Sequence, residues 1–389
     1  MTAARKVQVP ATPNRKKRVA PIPPEARANQ QLSLFQTLLA NTDAERGELS
    51  NAIDLWDSIP RYSISRIRMS ALRTAEGFLE DIEVPFRYRG HDFTAIIRPA
   101  RVTGKDGQRV SYYPSAREEL VEHALRKIAT DQQAGFFDTV DYRSGVIFSL
   151  YALRKELESQ GHSLRYDQII EALDILSLSS IDVVARNKDG DEGFDRSTYL
   201  AALSGVRRKD YDADRSARWA AQFHHLVTRS IDRVTYRQFN YQRLMQCRTQ
   251  LARWLLGQLV LKYTQAALSN SFEMRYSTIR RDSALLDGYK LERQAVAALD
   301  DAWQELQDLQ TLTKFTKAEQ RGIRAKLEDV IYTLYPSPEF VAEQKAANRR
   351  QNDGLAIVEE VPTSTKKTGE IGDGSRKKAG EISDGSRGK

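Results

Sequence analysis

Apolar residues at positions 244–263 recur every three to four places, which predicts a long helix with one buried face. A strand-like run follows at 272–276, and a brief helix with a serine near its start fits 277–286. Gly288 breaks that helix, and a second apolar face runs through 290–309. Two helices separated by a glycine-containing turn are typical of a helix-turn-helix. An ordinary pair of packed helices explains this single copy equally well.

The first half of the chain repeats this order of elements. Ser115 and Glu118 have the spacing of a capping box, in which the two side chains satisfy backbone amides of the first helical turn. The elements predicted from this point are, in chain order, a helix through Ile128, a strand at 136–140, helices at 144–159 and 164–176, and a β-hairpin at 181–203. Because the same order occurs twice, the sequence predicts two tandem winged-helix domains. The extended run 330–335 is the predicted wing strand of the second.

These elements predict an α+β fold that is mostly helical and has disordered basic tails. The predicted segments are a disordered tail at 1–30, a linear peptide at 31–45, a first winged-helix domain at 50–203, a connecting segment at 204–243, a second winged-helix domain at 244–348 and a disordered tail at 353–389. The last segment holds an eleven-residue unit twice in tandem, from Lys366 to Arg387. Two units are too few for a solenoid, so no fold is expected there.

The net charge of +8 is concentrated in the tails. The first 30 residues carry seven Lys or Arg against one acid, and the last 47 carry ten against eight, so the body between them is close to neutral. A nucleic-acid function therefore has to rest on local basic clusters. One cluster, Arg98, Arg101, Lys105 and Arg109, lies on a hairpin predicted at 84–110, where a solvated face is the usual explanation.

Composition excludes several classes of protein. No stretch approaches the roughly 18 continuous apolar residues of a membrane span, and no apolar segment follows the N-terminal charges as in a signal peptide. The single cysteine, Cys247, rules out a disulfide framework and suits a reducing cytoplasm. We therefore expect a cytoplasmic protein without membrane contact.

The start of the third helix in each copy is the expected reading element, because this helix of a helix-turn-helix enters the major groove. In the second copy the candidates are Arg275, Ser277, Thr278, Arg280 and Arg281 on the preceding helix, and Lys290, Arg293 and Gln294 on the reading helix. Arginine can contact guanine and glutamine can contact adenine through paired hydrogen bonds, whereas hydroxyls near a helix start suit phosphates.

The first copy offers a weaker set of DNA-binding candidates. They are Ser163, Arg165, Tyr166 and Gln168. Asp167, Glu171 and Asp174 share the same helix, and their negative charges oppose contact with DNA. A weaker or purely positioning role is therefore expected for this helix.

Catalytic chemistry has little support in the sequence. There is no Gly-x-x-x-x-Gly-Lys-Ser/Thr loop for a nucleotide. A nicking initiator would need a histidine-hydrophobic-histidine strand that holds a metal beside a tyrosine, and the chain contains none. We therefore expect a protein that is not an enzyme and that uses no metal and no cofactor.

A short apolar segment, made of Gln31, Leu32, Ser33, Leu34 and Phe35, follows the basic tail. It resembles the motif that binds the bacterial sliding clamp, and it matches the pattern Gln-Leu-(Ser/Asp)-Leu-Phe in full. In a docked peptide Leu34 and Phe35 are the buried anchors and Gln31 orients them. The alternative is that the segment forms the first turn of a core helix that continues through Leu39.

Three blocks of the sequence resemble RepA-type plasmid replication initiators. They are Leu55-Trp-Asp-Ser-Ile-Pro-Arg-Tyr-Ser63, Ser180-Ile-Asp-Val-Val184 and, most specifically, Ile331-Tyr-Thr-Leu-Tyr-Pro-Ser-Pro-Glu-Phe-Val-Ala-Glu-Gln-Lys-Ala-Ala-Asn348. The resemblance covers most of the chain between the two tails. It implies a protein that binds iterons, the repeats of a plasmid origin, through tandem winged helices, represses its own promoter and recruits host replication proteins.

The same resemblance implies a set of partners. They are double-stranded origin DNA, the sliding clamp, the host initiator and the replicative helicase, and a homodimer is left open. It also implies a role in plasmid copy control, a location with plasmid DNA in the bacterial nucleoid, and clamp binding by residues 31–35. A winged-helix transcription regulator without a replication role is the alternative function, and it leaves the clamp-like peptide without a use.

Overall fold

The fold of this chain is α+β, as seen in a computed structural model that describes residues 49–52, 54–88, 91–104, 107–131, 136–138, 143–186, 192–206, 217–224, 226–227, 237–323 and 326–360. Its helices are α1 (Asp54–Ser58), α2 (Arg66–Leu72), α3 (Ala116–Asp131), α4 (Leu150–Ser159), α5 (Tyr166–Leu178), α6 (Tyr241–Gln246), α7 (Gln250–Lys262), α8 (Tyr276–Ser283), α9 (Glu292–Asp308) and α10 (Pro338–Glu360). Its strands are β1 (Leu49–Ala52), β2 (Ile82–Tyr88), β3 (His91–Arg98), β4 (Ala100–Thr103), β5 (Arg109–Tyr112), β6 (Phe136–Asp138), β7 (Arg143–Ser149), β8 (Ser180–Arg186), β9 (Glu192–Thr198), β10 (Leu200–Gly205), β11 (Arg218–Phe223), β12 (Arg237–Asn240), β13 (Phe272–Arg275), β14 (Leu312–Arg321) and β15 (Leu327–Pro336).

Strands contribute more than the sequence pattern predicted. Helix accounts for 44% and strand for 32% of the described residues, so the expectation of a mostly helical protein is wrong. The reason is that short apolar runs fit a buried strand as well as a helix, and partners far away in sequence decide between them. None of the described helices is both long enough and apolar enough to cross a bilayer.

The second half of the chain forms one unit with its own core. Along the chain it contains α7, β13, α8, α9, β14 and β15, and its antiparallel sheet has the strand order β13-β15-β14. Met274 pairs with Tyr332, which in turn pairs with Lys317, so the last strand lies in the middle of the sheet. Leu299, Trp303 and other apolar residues of α9 are fully buried against this sheet and α7.

The first half contains a second unit with the same order of elements. Here α3, β7, α4, α5, β10 and β11 occur in this order, with β6 before β7 and with β8 and β9 inserted between α5 and β10. The sheet order β10-β11-β7 again places the last strand between the other two. Ala220 of β11 pairs with Ile147 on one side and with Ser204 on the other. The short strand β6 extends this sheet beyond β7.

The predicted hairpin at 181–203 forms, but it belongs to a different sheet. Strands β8 and β9 pair with each other, and β8 joins β3 to give the sheet β2-β3-β8-β9. The strands that accompany β7 are β10 and β11, and β11 lies within the predicted connecting segment 204–243. The prediction of this hairpin as the wing is therefore wrong, since alternation along a strand does not reveal which sheet the strand joins.

Two predicted helix boundaries also differ from the structure. Residues 143–149 form a strand, and α4 begins only after Ser149, whose hydroxyl accepts a hydrogen bond from Ala152 N at 3.1 Å. The predicted continuous helix over 244–263 is interrupted after α6, and Thr249 caps α7 by accepting from Ala252 N at 3.1 Å. In both places a side-chain cap fixes a helix start that apolar spacing alone did not reveal.

A buried polar cluster surrounds Glu122 on α3 of the first unit. The indole nitrogen of Trp56 donates to Glu122 Oε1 at 2.7 Å, and the hydroxyl of Tyr62 donates to Glu122 Oε2. Arg61 lies between Glu122 and Asp57, with its guanidinium 2.7 Å from Asp57 Oδ1. The block 55–63, which resembles the plasmid initiators, supplies most of this cluster.

The two units contact each other through the same region. Arg253 on α7 forms a buried ion pair with Glu119 on α3, with Nε 3.0 Å from Oε2. Gln250 Nε2, also on α7, donates to the carbonyl of Tyr62 at 2.6 Å. Charged and polar side chains therefore help to join the second unit to the first at this contact.

Candidate nucleic-acid interface

Helix α9 of the second unit presents one polar face to solvent. Its buried face, which includes Leu299 and Trp303, is anchored in the core, while Arg293 and Gln294 in its first turn are exposed. Lys290, just before the helix, is exposed as well. The fold thus brings the three predicted residues of the reading helix together at one accessible helix start.

The charges at this helix start are available for a ligand. Within the described part of the chain, neither Lys290 nor Arg293 has a carboxylate at ion-pair distance. Unpaired cations beside an exposed amide side chain form a surface that suits both the phosphates and the base edges of duplex DNA.

The arginines of the preceding helix, α8, form ion pairs within the protein. Arg280 lies 3.5 Å from Asp287 and 3.8 Å from Glu292, and Arg281 Nε lies 2.7 Å from Asp282. These acids neutralise most of the positive charge on α8. The structure therefore separates the predicted set into free cations on α9 and ion-paired arginines on α8.

The start of α8 is held by the wing strand. Asp329 on β15 accepts from Ser277 N at 3.0 Å and from the Ser277 hydroxyl at 2.7 Å. Arg275 reaches the same carboxylate at 3.8 Å, and the neighbouring Thr278 is half-buried. Ser277 is inside the helix rather than at its cap, because Arg275 is the N-cap residue. Its hydroxyl is engaged inside the protein.

The hairpin β14–β15 contains the predicted wing strand 330–335 of this unit, and its first strand was not predicted from the sequence. Lys317 on β14 contacts Asp300 of α9, with Nζ 2.5 Å from Oδ2, and Tyr332 donates to the other oxygen at 2.8 Å. Burial and this carboxylate raise the pKa of Tyr332, which keeps its hydroxyl a donor. These bonds fix the wing beside the reading helix. The basic residues Lys314, Lys317 and Arg321 of β14 were the signal that could have identified this hairpin.

The tip of this hairpin is exposed to solvent. Lys326 is exposed and has no carboxylate partner among the described residues, whereas Arg321 is paired with Glu319 at 2.6 Å. Ile323 is 89% exposed at the same tip. A protruding basic hairpin beside a reading helix can follow the sugar-phosphate backbone next to the groove that the helix enters.

Helix α5 of the first unit is much less accessible. Every residue from Tyr166 to Ser177 is buried or half-buried, and strand β4 packs against the helix. Glu171 on this helix is neutralised by Arg117, with a guanidinium nitrogen 2.6 Å from Oε2. The structure therefore gives this predicted reading helix a partly covered surface.

The predicted DNA-binding residues of the first unit contact the protein itself. Arg165 is the N-cap of α5 and forms an ion pair with Asp167 at 3.1 Å, although 75% of its side chain is exposed. Gln168 Oε1 accepts from Arg165 N at 2.9 Å, and the guanidinium of Arg154 lies 4.9 Å above the Tyr166 ring. Ser163 is exposed before the helix. The helix start is well ordered by these contacts but carries little free charge.

Other predicted segments lie outside the described residues. These are the clamp-like peptide Gln31 to Phe35, the basic tail 1–30 and the tandem repeat in the C-terminal tail. Helix α10 continues to Glu360, beyond position 353, where the C-terminal tail was predicted to begin. The clamp-binding hypothesis therefore remains a prediction from sequence.

Comparison with known proteins gives structural neighbours only. No protein-family model matches this chain, and no curated protein matches it. The crystal structure of RctB domains 2-3 has a TM-score of 0.42 at 12% identity and covers 73% of this chain and 100% of that chain. A selenomethionine form of the same two domains gives 0.43 at 11%, with 69% and 96% covered. The Pi initiator protein in complex with iteron DNA gives 0.37 at 11%, with 62% and 98% covered.

TM-scores of this size record a partial likeness between backbones, so the functional argument rests on the residues of this chain.

Proposed function

We propose that this protein is a plasmid replication initiator that binds iteron repeats at the origin through two winged helices. One observation carries the proposal: two units share the order helix, strand, helix, helix and two strands, with the last strand in the centre of each sheet, and the second unit presents a free basic helix start beside a basic wing. Helix-turn-helix proteins place such a helix in the major groove.

The two units have different roles in this proposal. Lys290, Arg293 and Gln294 on the second unit contact base edges and the adjacent phosphates. The reading helix of the first unit carries three acids. This unit therefore positions the protein on the DNA and does not read base edges. A tandem arrangement of one reading and one positioning module suits a directly repeated DNA site.

Replication functions beyond DNA binding belong to the proposal as well. The protein recruits the sliding clamp through residues 31–35 and brings the host initiator and the replicative helicase to the origin. It acts without nucleotide hydrolysis and without cutting DNA, and it represses its own promoter by binding there. These functions rest on the sequence resemblance and on the full match to the clamp-binding pattern.

Protection mapping on the protein's own plasmid origin tests the central claim. The expected result is a series of protected sites that recur with the period of the repeats, at protein concentrations that leave random duplex unprotected. Uniform protection of origin and random DNA would contradict sequence-specific binding. Protection confined to a promoter, together with failure to maintain a plasmid in a host that lacks another initiator, would favour the transcription regulator.

The clamp hypothesis has its own test. The change Leu34→Ala with Phe35→Ala is expected to abolish clamp binding and to leave duplex binding and the melting temperature unchanged, because a linear peptide concentrates its affinity in buried anchors. Surface-bound clamp and full-length protein are sufficient for the measurement. Normal clamp affinity combined with a melting temperature lowered by several degrees would instead identify Leu34 and Phe35 as core residues.

A further inference from the structure

A turn at 73–78 is fastened to the hairpin β4–β5 and makes one rigid surface with it. Thr74 N donates to Phe78 O at 2.9 Å, and Gly77 N donates to Thr74 O at 3.0 Å, which closes the turn. Ser111 N on β5 donates to Gly77 O at 3.0 Å. Gly77 has φ +83°, and a side chain there would be strained and would also lie close to Arg109 O. The backbone of this surface is therefore fixed by its own bonds.

Aromatic rings hold two arginines on this surface. The guanidinium of Arg101 lies 4.1 Å from the centre of the Phe78 ring. Arg73 lies 5.1 Å from the Tyr112 ring and donates to Ser111 O at 2.8 Å. Such cation–π contacts restrict the side chain while leaving N–H groups of the guanidinium open to another acceptor. Binding through these groups therefore costs less conformational entropy than binding through free arginines.

Two arginines of the hairpin point to the same side and have no internal partner. Arg101 pairs across the hairpin with Ser111, two residues from Arg109, so Arg101 and Arg109 share one face. Both are exposed, and within the described ranges neither lies at ion-pair distance from a carboxylate. Arg98, from the same cluster of the sequence, differs because it is paired with Asp81 at 3.1 Å and Asp182 at 2.6 Å.

The position of this surface connects it with the first unit. Strand β4 packs directly against α5, the helix whose own charges are acidic or already paired. DNA that lies against α5 therefore meets Arg101 and Arg109 on the hairpin beside this helix. We propose that Arg73, Arg101 and Arg109, here called the arginine platform, bind phosphates of duplex DNA beside the first reading helix. This inference rests on the proposed function and names how its first unit contacts DNA.

Phosphate contacts predict a particular signature in binding experiments. Each neutralised phosphate contributes about 0.9 to the slope of log affinity against log salt concentration, and the contribution is the same for every sequence. Loss of platform charge should therefore weaken binding to iteron and random duplex by one common factor. The preference for the iteron should stay unchanged.

The test compares Arg101→Gln with Arg109→Gln against a control of equal charge, Arg87→Gln with Arg196→Gln. The control arginines are also surface residues, but they are paired with Asp92 at 3.2 Å and with Asp182 at 2.6 Å. Affinities of the full chain are measured on one iteron duplex and on one random duplex over a range of salt concentrations. The platform variant is expected to reduce the salt slope by about 2 and to lower both affinities roughly tenfold at moderate salt. The control is expected to match the wild type.

Two further variants separate the loss of charge from a failure of the protein to fold. Arg101→Lys with Arg109→Lys retains the charge and should retain the salt slope. Arg109→Gln alone involves no ring contact, so it should fold normally and reduce the slope by about 1. Ethylation interference should show a group of phosphates that matter for the wild type and no longer matter for the platform variant.

Several outcomes would overturn the platform. They are a salt slope equal to that of the wild type, an unchanged phosphate footprint, or a larger loss of affinity for single-stranded than for duplex DNA. The proposed function fails separately, if the wild type shows no preference for its own origin. In that case the platform can still be measured on random duplex.

Discussion

The two predicted reading helices of this protein differ in how they face solvent. Helix α9 begins with exposed Arg293 and Gln294, and Lys290 stands beside them without a carboxylate partner in the described part of the chain. The residues of helix α5 are buried or half-buried along most of its length. Its N-cap residue, Arg165, is paired with Asp167. The same order of elements thus supports two different surfaces.

This difference shows that a shared topology does not assign a shared role. Both units bury the inner face of their third helix in the same way, because that face completes the core. The outer face is free to vary, since surface substitutions cost little stability. The second unit uses this freedom for unpaired charge, and the first uses it for a contact with β4.

The largest expected effect is the loss of base readout on α9. The double change Arg293→Ala with Gln294→Ala should weaken binding to the iteron by roughly 2–6 kcal/mol, because each paired base contact is worth about 1–3 kcal/mol. Binding to random duplex should fall far less. Competition titrations with both DNAs measure the ratio of the affinity for the iteron to the affinity for random duplex. Equal losses on both would assign these residues to backbone contacts, and unchanged binding would remove α9 from the interface.

The second effect concerns acid stability, which should distinguish the two units. Burial, reinforced by Arg126, lowers the pKa of His123 to about 3. The unfolded chain therefore takes up this proton more readily than the folded one, so stability is fully present above about pH 6.5 and is lost as pH falls towards 3. We expect a loss of about 2 kcal/mol between pH 7 and pH 5 from this group.

Hydrogen exchange at several pH values tests this expectation. Protection should fall in α3, which carries His123, before it falls in α9. The variant His123→Gln should reduce the pH dependence of the unfolding free energy by about one proton. Equal acid sensitivity of wild type and His123→Gln would contradict the assignment.

The third effect is a stability change without a binding change. Ser277→Ala removes a hydrogen bond of 2.7 Å to the buried carboxylate of Asp329, so the free energy of unfolding should fall by roughly 1–2 kcal/mol. The neighbouring change Thr278→Ala is the matched control and should cost less than about 0.5 kcal/mol. Denaturant unfolding and DNA titration are both needed. A large loss of DNA affinity in a stably folded Ser277→Ala protein would show that this hydroxyl reaches phosphate.

The smallest expected effect is on the first reading helix. Arg165→Ala with Gln168→Ala should leave the preference for iteron over random duplex within about threefold of the wild type, because both side chains already serve the N-terminus of α5. A loss of preference as large as that of the α9 double variant would make the two units equivalent readers. That result would contradict a positioning role for α5.

Much of the second unit could be predicted from its sequence. The apolar spacing over 290–309 predicted α9, and the position of Gly288 predicted the turn before it. Lys290, Arg293 and Gln294 followed from that helix, since a residue at the start of an amphipathic helix and off its apolar face must be exposed. Local periodicity is sufficient to predict which residues are exposed where burial depends only on the face of one helix.

The wings were harder to predict because strands need partners. The residues of β8 and β9 alternate as a wing would, yet their pairing with β3 places them in another sheet. The true neighbour of β7 is β11, which comes from a segment predicted to be a connection. No local pattern distinguishes these pairings, because every strand with one apolar face satisfies the same alternation.

Local sequence patterns were sufficient to predict the α+β class, the helices α3, α5 and α9 and the three blocks that resemble plasmid initiators, whereas the strands of the first unit were assigned wrongly. Only the tertiary structure decided which cations are free, because an ion pair such as Arg98 with Asp182 joins residues far apart in the chain. It also decided that β4 covers α5 and that Glu119 meets Arg253 between the units. The physical reason is that helix periodicity is a local property, whereas the burial and pairing of charges depend on which distant surfaces meet.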